Sequence, residues 1–301
     1  MVGFGEGGTL VVLAADFDSP WKEALESYLP QSLALLLPDI HAEIDWQRGF
    51  KFLDNELQQI TPEAALGRRV VDKLVQVWRR DGGEVWVLIH IEIQNQREPD
   101  FARRMFGYYH RLLAHYDRPI ASVAILGDDS VTWRPDAYEA ALWGCSVAFR
   151  FPVVKLLDFR ERWDELEGSV NPFAGVVMAH LRALETRDDA QRRGRAKLAL
   201  TRWLFNRGYS REEILTLLRF IDWLLRLPRR LELEYRQAVH AIEEEHHVTY
   251  ITSFEEIGIE IGKEAGIEIG KEAGIEIGKE AGIEIGKEAG IEIGKEAGRR
   301  E

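Results

Sequence analysis

Two stretches of alternating side chains, joined by the turn Asp81-Gly82-Gly83, constrain the fold of this chain more than any other feature. The second stretch carries a β-branched residue at every odd position from 85 to 93, and the first alternates from 70 to 78 with Lys73 as its exception. Successive side chains of a strand point to opposite faces of a sheet, so this period of two predicts two strands. The glycine turn between them predicts a β-hairpin.

The turn also predicts which acidic residues lie close together. If residues 81–83 form a three-residue loop, Asp72 lies directly opposite Glu92, because opposed residues of an antiparallel pair share a face. Gln94 then follows on that face, with His90 beside it. A two-residue loop instead places Asp72 opposite an odd-numbered residue, unless a bulge restores the register. The first register gathers two carboxylates and an amide, a ligand set that suits Mg²⁺, with Mn²⁺ or Ca²⁺ as alternatives.

The position of Glu92 in its strand favours a functional carboxylate. It follows the mostly apolar run from Trp86 to Ile91, which is typical of a strand buried on both faces. A buried carboxylate requires a charged partner or a metal ion. On a solvated face the same side chain is only a surface charge, and His90 is as readily a hydrogen-bonded core residue as a functional one.

Asp72, a hairpin and then Glu92-Ile93-Gln94 follow the order Asp, hairpin, Glu-x-Lys, with Gln94 at the lysine position and Val71 where a proline is usual. The likeness continues through SPWKEAL, RRVVDKLVQVWRRDG, IHIEIQNQ, FARRMFGYYHRLL and RPIASVAIL, from about Ser19 to about Tyr250. These residues resemble the PD-(D/E)XK nuclease superfamily. Gln in place of Lys is similar to its Rpn group, the recombination-promoting nucleases, also labelled transposases of the YhgA type.

The resemblance implies a metal-dependent endonuclease that hydrolyses phosphodiester bonds of DNA. Asp72 and Glu92 would bind Mg²⁺, and Gln94 would hold or orient the attacking water. The accessory residues considered with them are Glu23, His90, Arg103 and Arg104. Because the Gln94 amide cannot carry the charge of a lysine, the alternative function is a nuclease-like fold that no longer cuts and acts as a DNA-binding or interaction protein.

Pattern and resemblance together predict four regions, beginning with a disordered extension at residues 1–17 that lacks the basic start of a signal peptide. Residues 18–158 are predicted to be an α/β domain, a restriction-endonuclease-like core with a mixed central sheet flanked by helices. Residues 159–250 are predicted to be helical, and residues 258–297 repeat GIEIGKEA five times. This tail is predicted to be a helix, because Glu260 and Lys263 lie at i,i+3 in each copy.

Several shorter elements follow from local signals. Pro30 predicts a kink in the first helix, and Ser210-Arg-Glu-Glu213 predicts a capping box at a helix start. Trp143 to Val154 predicts one strand, or two short ones, interrupted by Pro152. The helices expected in the second half span residues 173–184, 190–206, 214–227 and about 228–247.

Charge and composition bear on the partners. The net charge is −12, but fifteen Glu and five Lys between residues 243 and 297 account for most of it. From Thr186 to Arg236 there are thirteen Arg or Lys against seven Asp or Glu, which predicts a local basic surface or a solvated helix face. The tail predicts either a homo-oligomer or a neutral linker. The single Cys145 and the lack of a long apolar run predict a cytoplasmic protein with no membrane partner.

Overall fold

The structure is a computed structural model that describes residues 18–54, 70–81, 84–92 and 98–246, with the backbone alone for residues 18–19, 70–72 and 84–92. The N-terminal extension, Gln94 and the repeat tail predicted from the sequence lie outside the described residues.

The helices, in chain order, are α1 (Asp18–Leu36), α2 (Pro38–Glu43), α3 (Phe101–Tyr116), α4 (Trp163–Gly168), α5 (Phe173–Glu185), α6 (Ala190–Phe205), α7 (Arg211–Leu224) and α8 (Arg229–Glu245). The strands are β1 (Lys51–Phe52), β2 (Val70–Trp78), β3 (Glu84–Glu92), β4 (Ile120–Leu126), β5 (Ala137–Leu142), β6 (Cys145–Arg150) and β7 (Val153–Lys155). Short 3₁₀ turns lie at Trp46–Arg48 and Leu156–Arg160.

Five strands form a mixed sheet in the order β1-β2-β3-β4-β7. The pairs β1–β2 and β2–β3 are antiparallel, whereas β3–β4 and β4–β7 are parallel. The parallel step follows because α3 carries the chain back across the sheet between β3 and β4. The predicted hairpin and the predicted mixed α/β class are therefore confirmed, and β3 lies at the centre of the sheet.

Helix α3 covers one face of this sheet. Four of its buried residues recur at the spacing of a single helix face; they are Phe101, Met105, Tyr108 and Leu112. Their buried partners on the sheet are Leu74 of β2 with Ala124 and Leu126 of β4. Because alternate residues of a strand point to the same side, this packing shows which residues of β2 and β4 lie on the face covered by α3.

Helix α1 lies on the opposite face of β2, where Glu26 forms an ion pair with Lys73. Its backbone departs from helical geometry at Tyr28, with φ −132° and ψ 33°, two residues before Pro30. A proline ring clashes with the carbonyl group four residues before it and removes one helical hydrogen bond. The predicted kink is confirmed.

The far side of α1 packs against the helices of the second half. The Trp21 side chain is fully buried. Its ring meets Phe173 of α5, His180 of α5 and Phe220 of α7 edge-on, with ring centroids 5.9, 5.5 and 5.8 Å apart. Helix α1 therefore joins the sheet to the helices α5 to α8, which are called the helical layer below.

The four helices expected in the second half are present, but α7 begins and ends three residues earlier than the predicted range 214–227. Ser210 and Glu213 form the predicted capping box: the Glu213 backbone N–H donates to Ser210 Oγ (3.2 Å), and the Ser210 N–H donates to Glu213 Oε2 (2.8 Å). None of the helices in the described ranges combines the length and the apolar composition that crossing a membrane requires.

A buried ammonium group joins three of these helices. Lys197 of α6 is fully buried. Its Nζ donates to Asp222 of α7 (2.5 Å) and to Glu232 of α8 (2.9 Å). The same Nζ lies 4.4 Å from the ring centroid of Tyr235. Two carboxylates and a π face offset the loss of hydration that burial imposes on the charge.

The separate antiparallel pair β5–β6 was not predicted as a hairpin. Pro152 separates β6 from β7, as predicted, but Trp143 lies in a turn rather than in a strand. Trp143 and Gly144 both have positive φ, 50° and 85°, so the turn has the left-handed backbone usual for tight hairpins. Such turns favour Asn-Gly, so the sequence Trp143-Gly144 does not show the usual pattern of a hairpin turn. The Trp143 side chain is 96% exposed.

Replacing Trp143 with glycine should stabilise the protein. A side chain with positive φ costs about 1–2 kcal/mol, and this exposed ring gains little packing in return. We expect Trp143→Gly to raise the free energy of unfolding in urea by about 1 kcal/mol. Gly144→Ala, at φ 85°, is the matched control and should lower it. A lower stability of Trp143→Gly would contradict the argument.

His180 ties helix α5 to the end of β4. It is fully buried, and its Nε2–H donates to the Gly127 carbonyl at 2.7 Å. Burial lowers the pKa of His180 to about 4, against the smaller opposing effects of that hydrogen bond and of Asp128. The folded protein therefore holds a neutral imidazole at pH values where the unfolded chain takes up a proton.

This difference predicts a loss of stability in acid. Between the ordinary histidine pKa near 6.5 and the folded value, the unfolded state binds more protons, so stability falls as the pH falls. We expect His180 to account for about 2 kcal/mol of the loss between pH 7 and pH 5. In His180→Gln, urea unfolding at the two pH values should show a difference smaller by that amount. An unchanged difference would show that His180 does not cause it.

Candidate active site

The strand register places Asp72 opposite His90 rather than opposite Glu92. Glu92 pairs with Val70 instead, and the last pair before the turn is Trp78 with Glu84. The hairpin is therefore centred on Asp81, one residue earlier than the three-residue loop at 81–83 required. The predicted direct opposition of Asp72 and Glu92 is wrong by two residues.

At the turn end of β2 the chain also pairs with the segment before β1. The Trp78 carbonyl accepts from Asp45 N–H (2.8 Å), and Arg80 N–H donates to the Glu43 carbonyl (3.0 Å). Arg79 forms an isolated bridge with Ile44. These bonds lie on the edge of β2 that faces β1, opposite to the edge that pairs with β3, and the ladder with β3 ends at Trp78 and Glu84. The connection between the two strands is therefore longer than its glycines alone predict.

The shift of two residues leaves the faces unchanged. Asp72, His90 and Glu92 still share one face of the ladder, and Asp72 and Glu92 become diagonal neighbours. It is the face covered by α3, because Leu74 follows Asp72 at i+2 and packs against that helix. The ladder of β3 and β4 agrees, since Glu92 pairs with Leu126, which packs against the same helix.

Glu92 belongs to a row of residues at the carboxyl ends of the parallel strands. The row continues through Leu126 of β4 to Lys155 of β7. Ligands of open α/β sheets commonly bind outside this edge. The row therefore places Glu92 at a position suited to a binding site.

A buried ion pair closes the row at β7, and it was missed in the sequence. Lys155 and Asp128 are both buried and form an ion pair. Lys155 Nζ also donates to the Trp133 carbonyl (3.3 Å). Burial lowers the pKa of Lys155, while the adjacent Asp128 carboxylate acts in the opposite direction. Twenty-seven residues separate the partners, so only the parallel pairing of β4 and β7 brings them together.

The two arginines considered at the site have different surroundings. Arg103 on α3 is exposed. Arg104, on the same first turn, forms a largely buried ion pair with Glu98 and lies 5.5 Å from the Phe101 ring centroid. Phe101 packs in the same cluster as Leu126, so the start of α3 lies over the end of the sheet that carries Glu92. Arg103 is the one whose charge faces solvent there.

The acidic residue considered on α1 lies elsewhere. Glu23 is half-exposed and forms an ion pair with Arg219 of α7 at 3.4 Å. The α1 acid that reaches the sheet is Glu26, at Lys73, and Lys73 lies on the face of β2 opposite to Asp72. Neither acid shares a face with Asp72 and Glu92.

Lys73, Asp54 and Glu26 form a second charged group, on the α1 face. The Lys73 side chain is only 3% exposed, and its Nζ lies 2.5 Å from Asp54 Oδ2. The side chain of Asp54 is 27% exposed and that of Glu26 is 51% exposed. Asp54 also accepts from Leu74 N–H (3.3 Å). The lysine that breaks the alternation of the first strand is thus a buried cation with two acidic partners.

Within the described side chains, no group of three or more His, Cys, Asp or Glu residues is arranged to hold a metal ion. Comparison of the whole chain with protein-family models, with curated proteins and with solved structures gave no match.

The Lys73 group predicts unequal effects of its two acids. Asp54→Asn removes the better-buried partner of a buried cation, so we expect a loss of about 2 kcal/mol in the free energy of unfolding in urea at pH 7. Glu26→Gln removes a half-exposed partner and should cost less than about 1 kcal/mol. Equal losses, or none for Asp54→Asn, would show that Lys73 does not depend on Asp54.

Proposed function

We propose that the protein is a metal-dependent endonuclease that hydrolyses phosphodiester bonds of DNA, of the Rpn type in the PD-(D/E)XK superfamily. The mixed sheet supports this proposal: a hairpin carries Asp72 and Glu92, and a helical crossover follows it to a parallel strand. This is the arrangement that the resemblance implies, with helices on both faces of the sheet.

The observation that carries the proposal is the placement of Asp72 and Glu92 on one face of adjacent strands. Diagonal neighbours in an antiparallel pair are about 7–8 Å apart at Cα, a distance over which two carboxylates can bind one ion. Carboxylate oxygens are the ligands that Mg²⁺ prefers. The residues present therefore fit the ion that the resemblance implies, and Mn²⁺ or Ca²⁺ fits the same oxygen ligands.

Each residue then has a separate role. Asp72 and Glu92 would hold the divalent ion, which would supply positive charge to activate a water and to offset charge on the phosphate. Gln94 holds or orients the attacking water by hydrogen bonding, since an amide can donate and accept. His90 lies opposite Asp72 in the register and on the same face. Arg103 supplies a solvent-facing cation for a backbone phosphate at the start of α3.

A plasmid-cleavage assay tests the proposal. Wild-type protein should nick supercoiled DNA with Mg²⁺ or Mn²⁺ and not with EDTA. Asp72→Ala and Glu92→Ala should each lower the rate at least about 100-fold, because each removes a ligand of the ion. Calorimetric titration with Mn²⁺ should show the same loss in binding.

The hairpin offers matched controls at its other end. Asp81→Ala and Glu84→Ala remove the same charge from the same hairpin, at or beside the turn rather than at the site. Both should cleave at the wild-type rate. Undiminished metal-dependent cleavage by purified Asp72→Ala and Glu92→Ala would end the proposal.

Gln94 favours one second candidate, a protein that binds DNA without cutting it. A neutral amide cannot stabilise the charge that develops during hydrolysis as a lysine does. This candidate predicts a folded wild-type protein that binds duplex DNA, shows no Mn²⁺ titration at Glu92 and leaves plasmid intact. Gln94→Lys is then the informative variant, because a gain of cleavage would locate the lost function at that position.

A further inference from the structure

Helix α6 carries five basic residues and no acidic residue in the sequence AQRRGRAKLALTRWLF. The five do not serve the same purpose. Lys197 is buried between Asp222 and Glu232. Arg193 donates to the carbonyl groups of Thr186 (2.8 Å), Arg187 (2.5 Å) and Arg226 (3.2 Å). These two cations hold the helical layer together.

The other three, Arg192, Arg195 and Arg202, are exposed. They follow one another at intervals of three and seven residues, so they form a stripe along one side of α6, about 15 Å long at 1.5 Å per residue. Among the residues that the structure describes, no acidic side chain forms an ion pair with any of the three. Their guanidinium groups face solvent.

A cleft lies beside this stripe, between α5 and α6. It has a volume of about 380 Å³, and its basic lining residues are Arg182, Arg192 and Arg195. The acid that lines it, Glu185, is already bound by Arg182 (2.8 Å) and Arg160 (3.5 Å). Ala196 and Ala199 form the rest of the α6 wall. Small side chains between arginines leave room for an extended ligand to lie along the helix.

We propose that this cleft and stripe bind the phosphodiester backbone of duplex DNA. An extended row of cations matches an extended row of phosphates. The large exposed apolar residues among the described positions, such as Val131 and Trp143, lie outside the cleft. Protein partners are usually anchored by buried aromatic or aliphatic side chains, whereas interfaces with DNA are more polar and more basic. The lining therefore favours a DNA backbone over an acidic protein.

DNA binding at this surface does not require cleavage. It lies in the helical layer, not on the hairpin, and needs neither a metal ion nor Glu92. Binding is therefore measured with EDTA, by the fluorescence anisotropy of a short labelled DNA duplex and the full chain. EDTA removes the ion that the proposed hydrolysis requires, so binding that persists in EDTA separates this proposal from the proposed hydrolysis.

The test variant is the double substitution Arg192→Ala with Arg195→Ala. We expect the affinity for duplex DNA to fall about tenfold or more, equally across DNA sequences, because side chains that bind phosphates read no bases. The dependence of log affinity on log salt should become shallower by about two, one for each phosphate that the variant no longer neutralises. Arg192→Lys with Arg195→Lys keeps both charges and should retain most of the affinity.

Arg79→Ala with Arg150→Ala is the matched control. It removes the same charge, but these arginines are already paired with Asp81 and Glu139, each on its own hairpin. It should change the affinity less than twofold. Equal weakening by the control, or wild-type binding by the double alanine variant, would overturn the proposal. So would displacement of the duplex by polyglutamate as effectively as by unlabelled DNA, which would identify an acidic polypeptide as the preferred partner.

Discussion

The burial of Trp21 is the interaction on which the two layers of this protein depend. Its ring is surrounded edge-on by Phe173, His180 and Phe220, so the first helix is held by the second half of the chain. The opposite side of that helix supplies Glu26 to Lys73 on the sheet. Burial of a large aromatic side chain is among the strongest single contributions to a core. The sheet and the helices are therefore stabilised together.

The same coupling reaches the edge of the sheet where Glu92 lies. His180 binds the Gly127 carbonyl just beyond β4, and Asp128 follows with its buried partner Lys155. At the carboxyl end of β4, Gly127 is thus held by the helical layer and Asp128 is held by β7. A pair of carboxylates used for binding an ion needs such a rigid support, because ligand geometry tolerates little displacement.

Local signals predicted most of the elements, and long-range contacts account for the rest. Pro30, the capping box at Ser210 and the alternation of β2 and β3 act through neighbouring residues, so the sequence displays them directly. The glycines of the turn do not define how many residues join Trp78 to Glu84, so they did not give the register. The Arg79–Ile44 bridge and the Asp128–Lys155 pair join residues far apart in the chain, which no local pattern contains. The shared face of Asp72 and Glu92 was predictable, because a register shift of two residues leaves every side chain on the same face of its strand.

The turn between β5 and β6 provides a natural place to observe the protein. Trp143 is almost fully hydrated, whereas Trp21 is fully buried and the other described tryptophans are at least partly covered. A water-soluble quencher of indole fluorescence will therefore act first on Trp143. The single thiol of the chain, Cys145, is exposed two residues further on. One dye can thus be attached at a defined position without any substitution, next to an intrinsic emitter that reports whatever covers that turn.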